Sequence, residues 1–532
     1  MAVAAIENRY QLQLLIWYGV GALGLLLAAM LLAADLMLVA LLLAGLGWVL
    51  TLPYHAKLSA VLAITTFSSA LILPFVPGRP YAWEGAALLA WSGIVVLIML
   101  RRFQPGLRET LRRNRWIYIG IVIYCLTLLL VMWQRGFGLR IMGSSQQGGR
   151  LYLQQLICAI LPLLFAMVRM NEKTFVRALL VMWLLSTTYF ISDFSFSFGG
   201  IGSVLLQFFE LPGDAMLFEQ LNRSFGIRRF QSFSNAGMGL MFLLLARHRL
   251  ADFTGRSIWW LLPLATGIFG VSLLSGHRSY ILLVVGTILV VMYAQRFLTV
   301  RTAILAPLVL SLFLLLLYAG ADRMPLAFQR AISFLPGIDV NPQAAADAAS
   351  SMRLRRILRS AGVRLIPEHL WVGRGFAKYL DARMLPFDTE MVDYHISQGM
   401  FYNGFIGLLV NTGVTGAAGM LLVIAGGTAL AMRVLRLVRR TTSDANLTRV
   451  SAVLAGYFLT SAFFFLFLHG DAEAALKGFA LQLGMLILAE RLLIERSNAP
   501  PDSRSGPEGE TVPAFADAGL PPPTMAASRA IP

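Results

Sequence analysis

The chain has 532 residues, of which 58% are hydrophobic and only 13% charged. A soluble globular protein carries nearly twice that share of charge. Apolar runs long enough to cross a bilayer recur from end to end. The alternating segments of a membrane β-barrel are absent, so the expected class is a polytopic helical membrane protein. The formal charge of +17 does not call for nucleic acid, because basic loops on one side of a membrane account for it.

About fourteen spans are expected, centred near residues 22, 44, 67, 91, 125, 160, 183, 240, 266, 287, 310, 420, 459 and 482. The first reads as a span rather than a cleaved signal peptide, having no clear cleavage site and many spans after it. Cys125 and Cys158 lie inside apolar runs and read as small core residues without a disulfide. The fold class is therefore all-α. Spans one to eleven occupy residues 1–320, a large outer loop 321–399, the C-terminal spans 400–496, and a disordered cytoplasmic tail 497–532, rich in Pro, Ser and Gly.

Orientation follows from short basic connections. "RRFQPGLRETLRRNR" (101–115) carries six arginines, and "RMNEKTFVR", "RHRLADFTGR" and "RVLRLVRRTTSDANLTR" share its side in a fourteen-span count. That side is cytoplasmic by the positive-inside rule. The outer side then holds 134–150, 193–232, the turn at 275–279 and the large loop. This loop has nine arginines, one lysine and eight acids, a mixture that suits a folded segment. Within it, "SSMRLRRILRSAGVRLI" (350–366) reads as an amphipathic helix. Leu354, Ile357, Leu358 and Ala361 form the apolar face, with Arg353, Arg356 and Arg359 turned away.

Arginines on the outer side raise a functional question. Arg228 and Arg229 precede one span and Arg278 opens another. They serve either as headgroup anchors or as an anion site, since guanidinium grips phosphate oxygens bidentately and keeps its charge. In "YHISQGMFYNGFIGLLVNTGVTG" (394–416), Tyr402 and Asn403 stand at the mouth of an apolar segment, where they can bond a sugar. His395 lies seven residues before Tyr402, two turns away on the same face if the piece is helical. It is either structural or a general base. Gly413 and Gly416 permit a helix break or close packing.

Several stretches carry a resemblance. "RRFQSFSN" looks like an Arg-x-x-Gly-Thr-Phe-x-Asn motif, with Arg228 in the arginine place and Gln231 replacing the glycine. "SGHRSYILLVVG" looks like a Ser-Arg-Gly motif opening a span at Arg278. "SMRLRRIL" followed by "IPEHLWVGRGFAKYL" looks like an arginine helix with a Gly-x-Gly-Phe sequel. "YNGFIGLLVNTGVTGA" looks like His-Asn, nine residues, Gly-x-x-Gly-Ala, with Tyr402 in the histidine place. In this order, over about 225–417, the chain resembles the O-antigen ligase and O-antigen polymerase superfamily of bacterial polysaccharide assembly.

The resemblance implies a glycosyltransferase at the periplasmic face of the inner membrane, using a glycan on undecaprenyl diphosphate and no cofactor or metal. His395, Arg278 and Arg228 would be catalytic, and Arg229, Arg353, Tyr402 and Asn403 would bind substrate. Glu390 or Asp393 could replace His395 as base. A phenol near pKa 10 is a poor base, so Tyr402 shifts the expectation from ligase to polymerase of lipid-linked repeat units. A ligase acting on lipid A–core and a lipid-linked oligosaccharide flippase are the alternatives. The bilayer, a chain-length regulator and a flippase are the expected partners.

Overall fold

The computed structural model describes residues 24, 36–74, 76, 79–101, 103–138, 148–198, 204–205, 208–209, 227, 229–230, 232–297, 304, 311, 314–315, 317–376, 389–441 and 445–498. Among these the chain is helical, with isolated bridges but no strand. Helices α1 (Leu36–Leu50) and α2 (His55–Phe67) precede α3 (Ala82–Met99). Next come α4 (Leu107–Arg113), α5 (Arg115–Arg135), α6 (Gly149–Cys158), α7 (Leu161–Met167), α8 (Glu172–Leu185) and α9 (Thr188–Phe198). Then follow α10 (Phe233–Arg247), α11 (Ile258–Leu273) and α12 (Arg278–Ala294). The expected outer loop contains α13 (Leu326–Ile332), α14 (Pro342–His369) and α15 (Thr389–Ser397). Helices α16 (Gly404–Arg440), α17 (Asn446–Phe463) and α18 (Ala475–Asn498) complete the order.

Among the described residues seven helical stretches are long and apolar enough to cross a membrane, with three shorter apolar helices besides. The count of about fourteen is therefore not reached among the described residues. The expected spans near 22 and 310 fall mostly outside those residues. That near 67 is a helix of 13 residues, too short at 1.5 Å per residue for a ~30 Å core, and that near 44 is described only from Leu36 onward. The expected tail falls outside the described residues from 499 onward. Cys158 is buried and Cys125 partly so, both as free thiols.

The C-terminal helices form the centre. The α18 segment is 78% buried, against 39% for α3, so α18 is packed by protein on most sides while α3 borders the surroundings. Helix α16 lies antiparallel against α5, where Gly120 faces Gly419. A Cβ on Gly419 would come within 2.8 Å of Tyr124 N and 3.0 Å of Gly120 O. Such contact between backbones is available only to the smallest residues.

The two ends of the bundle differ. At one end the short basic connections meet. Buried Glu490 accepts from Arg433 Nε at 2.6 Å, Arg433 Nη2 donates to Asn114 Oδ1 at 2.6 Å, and Arg496 pairs with Glu172 at 2.7 Å. A charge this deep persists because it is paired. At the other end lie α13 to α15 and the start of α16.

Helix α16 is interrupted near that second end. Gly413 has φ 70° and ψ −176°, a conformation essentially confined to glycine. The opened turn is bridged by the stretch after α14. Arg374 N donates to Val410 O at 2.7 Å, Gly375 N to Asn411 O at 2.9 Å, and Val414 N to Leu370 O at 2.7 Å. A Cβ on Gly413 would also lie 2.7 Å from Trp371 O. Gly413→Ala is expected to cost about 1–3 kcal/mol and lower the thermal midpoint of the detergent-solubilised protein. Gly267→Ala, whose new Cβ has nothing within 4 Å, is expected to hold or raise it. Equal midpoints for the two variants would mean that the break does not support the fold.

Candidate functional site

Above the break, five guanidinium groups gather from four parts of the chain. The turn between α11 and α12 is their hub. Gly276 has φ +68°, and a Cβ there would sit 3.0 Å from Arg229 Cδ and 3.3 Å from Arg330 Nη1. Arg330, on α13, is buried. It ion-pairs with Asp347 through Nε, donates from Nη1 to Gly276 O at 2.7 Å, and donates from Nη2 to Ser351 Oγ at 2.8 Å. Arg278, the first residue of α12, donates to Ser333 Oγ at 3.2 Å. On α14, Arg359 donates to Tyr402 O at 3.1 Å and also to Leu468 O. Arg355 lies 5.4 Å from the centroid of the Tyr402 ring. Among the described residues its guanidinium makes no hydrogen bond or ion pair.

An aromatic stack stands beside these cations. His469 lies parallel to Tyr402 with ring centroids 5.3 Å apart, and His395 approaches the Tyr402 ring at 5.7 Å. Tyr402 has φ +49°, and its N–H donates to Asp471 Oδ1 at 3.1 Å. The local field is positive. Burial pushes Arg229 down to about 10, with Arg330 adding and Asp347 opposing, so the group remains charged at neutral pH. Burial, then Arg355 and Arg359, hold His469 at about 3. Burial, then Arg330 and Arg229, do the same to His277. His469 Nδ1 is buried without a hydrogen-bond partner among the described residues. Among the described residues Asp347 pairs with Arg330 and Asp471 holds the Tyr402 backbone, while Arg355 has no carboxylate partner, and a multivalent anion fits it. Among the described residues no three His, Cys, Asp or Glu side chains gather as metal ligands.

The sequence-predicted residues fare differently. Arg229, Arg278, His395 and Tyr402 come together. The helical reason given for His395 does not hold: α15 ends at Ser397. The chain then reverses through positive φ at Gly399 and Tyr402, which returns Tyr402 to the His395 ring. Arg353 is exposed. The face of α14 that turns inward carries Asp347, Ser351, Arg355 and Arg359, at four-residue spacing, with Leu358 and Gly362 beside them. Asn403 is the N-cap of α16, its Oδ1 accepting from Ile406 N at 3.0 Å. Arg228 lies outside the described residues, as does the side chain of Glu390, while Asp393 is exposed.

Arg330, Arg355, His277, His469 and Asp471 were not singled out from sequence. The stretch "LHGDAE" (468–473), three polar or charged groups closing an apolar run, was the available signal. No family model matches the chain, and none of the curated proteins compared with it matches either.

Arg330→Met is expected to strand the Asp347 carboxylate and cost about 3–5 kcal/mol, read as a large fall in thermal midpoint. Arg353→Met should leave the midpoint unchanged, and equal effects would deny the pair its structural part. His469 and His277 have folded pKa values below the ordinary 6.5, so the unfolded chain binds more protons in acid. Their contribution is complete above about pH 6.5 and is lost as pH falls towards 3. The midpoint of His469→Asn should depend less steeply on pH across that window than the wild type does. Identical slopes would contradict the electrostatic reading.

Proposed function

We propose that the chain polymerises undecaprenyl-diphosphate-linked oligosaccharide repeat units at the periplasmic face of the bacterial inner membrane, in O-antigen or exopolysaccharide biosynthesis. Arg355 carries this reading. Its donor fork is unspent and held over Tyr402, among four further arginines. A diphosphate supplies both the oxygens and the negative charge that such a group accepts. The basic connections at the opposite end of the bundle support a cytoplasmic assignment for that end. The cluster would then face the periplasm, beside the headgroups from which a lipid diphosphate reaches it.

The transfer needs few parts. The acceptor hydroxyl oxygen attacks the anomeric carbon of the donor sugar, and the bond from that carbon to the diphosphate oxygen breaks. The proton passes to an imidazole, and undecaprenyl diphosphate leaves with one more negative charge. Arg278, Arg355 and Arg359 are poised to stabilise that charge. Arg228 belongs to the same proposal through the sequence resemblance alone. The diphosphate bond carries the driving energy, so no nucleotide is required.

His395 and His469 are the two candidate bases. His469 is held neutral by burial and by Arg355 and Arg359. A diphosphate on those arginines would offset their field and raise the basicity of the imidazole, which ties base strength to a seated donor.

His469 also favours a second reading. The resemblance places the ligase histidine where Tyr402 stands, and the stacked His469 ring returns an imidazole to that spot. Transfer of finished glycan to lipid A–core then remains open to this chain.

Deleting the chain and separating lipid-linked from exported glycan tests these readings. Single repeat units on undecaprenyl diphosphate, without long chains, are expected for a polymerase. Long chains stranded on the lipid would indicate a ligase, and units held on the cytoplasmic side a flippase. Restoring the gene as Arg355→Gln is expected to lower transfer by about 10²–10³-fold at normal expression. Undiminished transfer would sink the diphosphate site.

A further inference from the structure

A separate cavity opens between other helices. It has a volume of about 250 Å³ and lies among Phe67, Tyr81, Trp83, Gln154, Tyr189 and Lys477. These come from the last residue of α2, the start of α3, α6, α9 and the first turn of α18. The link to the arginine cluster is short. Asp471 holds Tyr402 N, and Ala474, three residues later, lines the cavity with Lys477.

The chemistry of the lining is specific. Glu84, buried beneath it, is already committed: it accepts from Arg150 Nη2 at 2.9 Å, from Tyr81 N at 2.9 Å and from Gln154 Nε2. Gln154 then accepts from Lys477 Nζ at 3.0 Å through its own Oε1. Lys477 makes no ion pair among the described residues. With the Glu84 charge answered by Arg150, the ammonium group leaves one positive charge at the wall of the cavity. Opposite in character are the aromatic rings. Tyr81 and Trp83 stack at 6.1 Å and 13°, and Phe67 meets Trp83 edge-on at 5.8 Å. Aromatic faces offer a flat apolar surface with polar edges, which suits the C–H face of a sugar ring. The volume falls below the roughly 300–1,000 Å³ of pockets for drug-sized ligands, so it suits a single ring rather than an oligomer.

We propose that this cavity is a binding site for one sugar unit bearing an anionic group, stacked on Tyr81 and Trp83 with its carboxylate on Lys477. The proposal extends the reading of the chain as a glycan-handling protein: it assigns an acidic residue to the repeat and a second site to hold it. Unlike the arginine cluster, with five cations for a diphosphate, this wall offers one cation beside an amide and several rings. A monoanionic sugar matches that ratio.

The test is a titration of the purified full chain in detergent, followed by calorimetry. The probes are a disaccharide ending in glucuronate, the matching disaccharide ending in glucose, and inorganic phosphate. The glucuronate disaccharide is expected to bind, the neutral one at least tenfold more weakly, and phosphate not to compete. Lys477→Gln should weaken the acidic disaccharide at least tenfold, and Lys477→Arg should restore most of the loss. Trp83→Ala should weaken both disaccharides. Thermal midpoints near wild type for these variants separate lost binding from lost folding. In Arg355→Gln the acidic disaccharide should still bind. Absence of binding, indifference to Lys477→Gln in a folded variant, or equal competition by phosphate would each overturn the site. So would loss of binding in Arg355→Gln with retention in Lys477→Gln, because the sugar would then belong to the arginine cluster. If deleting the chain leaves cellular glycan normal while Lys477-dependent binding persists, the transfer reading fails and the sugar site stands.

Discussion

A helix inside hydrocarbon has no water to satisfy an opened turn, and α16 is opened at Gly413. The carbonyls of Val410 and Asn411 and the amide of Val414 find their partners on residues 370–375. Much of the upper structure follows from those bonds. Arg374, fixed by its own amide, donates from its guanidinium to Ile396 O at 2.6 Å and Ser397 O at 3.0 Å, which anchors the end of α15 and with it His395. Phe376 N donates to Tyr152 OH at 2.7 Å, tying the same stretch to α6. The loop that carries the arginine helix is thus joined to the bundle through the backbone as well as through side chains.

The second constraint is charge. Like charges packed together are unfavourable, and Arg229, Arg278, Arg330, Arg355 and Arg359 share a small region. Among the described residues, two carboxylates near the cluster hold the frame. Asp347 takes Arg330, whose other donors brace Gly276 and Ser351. Asp471 is used on the Tyr402 backbone. Among the described residues, nothing takes the donors of Arg355. A residue that serves only to anchor a loop would be expected to look like Arg330. One kept for a ligand looks like Arg355, and the two side by side on neighbouring helices distinguish scaffold from site.

Some of this was legible in the sequence. Apolar runs and basic loops are long-range compositional signals, so the all-helical membrane class and the basic end could be read directly. Arg278, Arg229, His395 and Tyr402 were legible because polar groups at the mouths of apolar segments are conspicuous. The inward face of α14 was not. Hydrophobic periodicity assigns the apolar side to the interior, but this helix lies over a charged site and turns Arg355 and Arg359 inward. Ile357, assigned to the buried side, is exposed at 41%. His469 was missed because it closes a phenylalanine-rich run that reads as a span. Its importance comes from Tyr402, which is distant in sequence. Composition marks the apolar stretches near 44 and 67 without showing that a turn at Thr51–Tyr54 leaves only 13 residues in the helix after it.

The pairing across Gly413 also orders events in time. Synthesis delivers α14 and residues 370–376 before α16 exists. Until α16 has been made and has entered the membrane, the amides of Arg374 and Gly375 and the carbonyl of Leu370 lack these partners. Tyr402 is made just before α16, and His469 arrives later still. At about 5–20 residues per second, the arginine helix waits for seconds at the surface before it can dock. No half-made chain carries an assembled cluster.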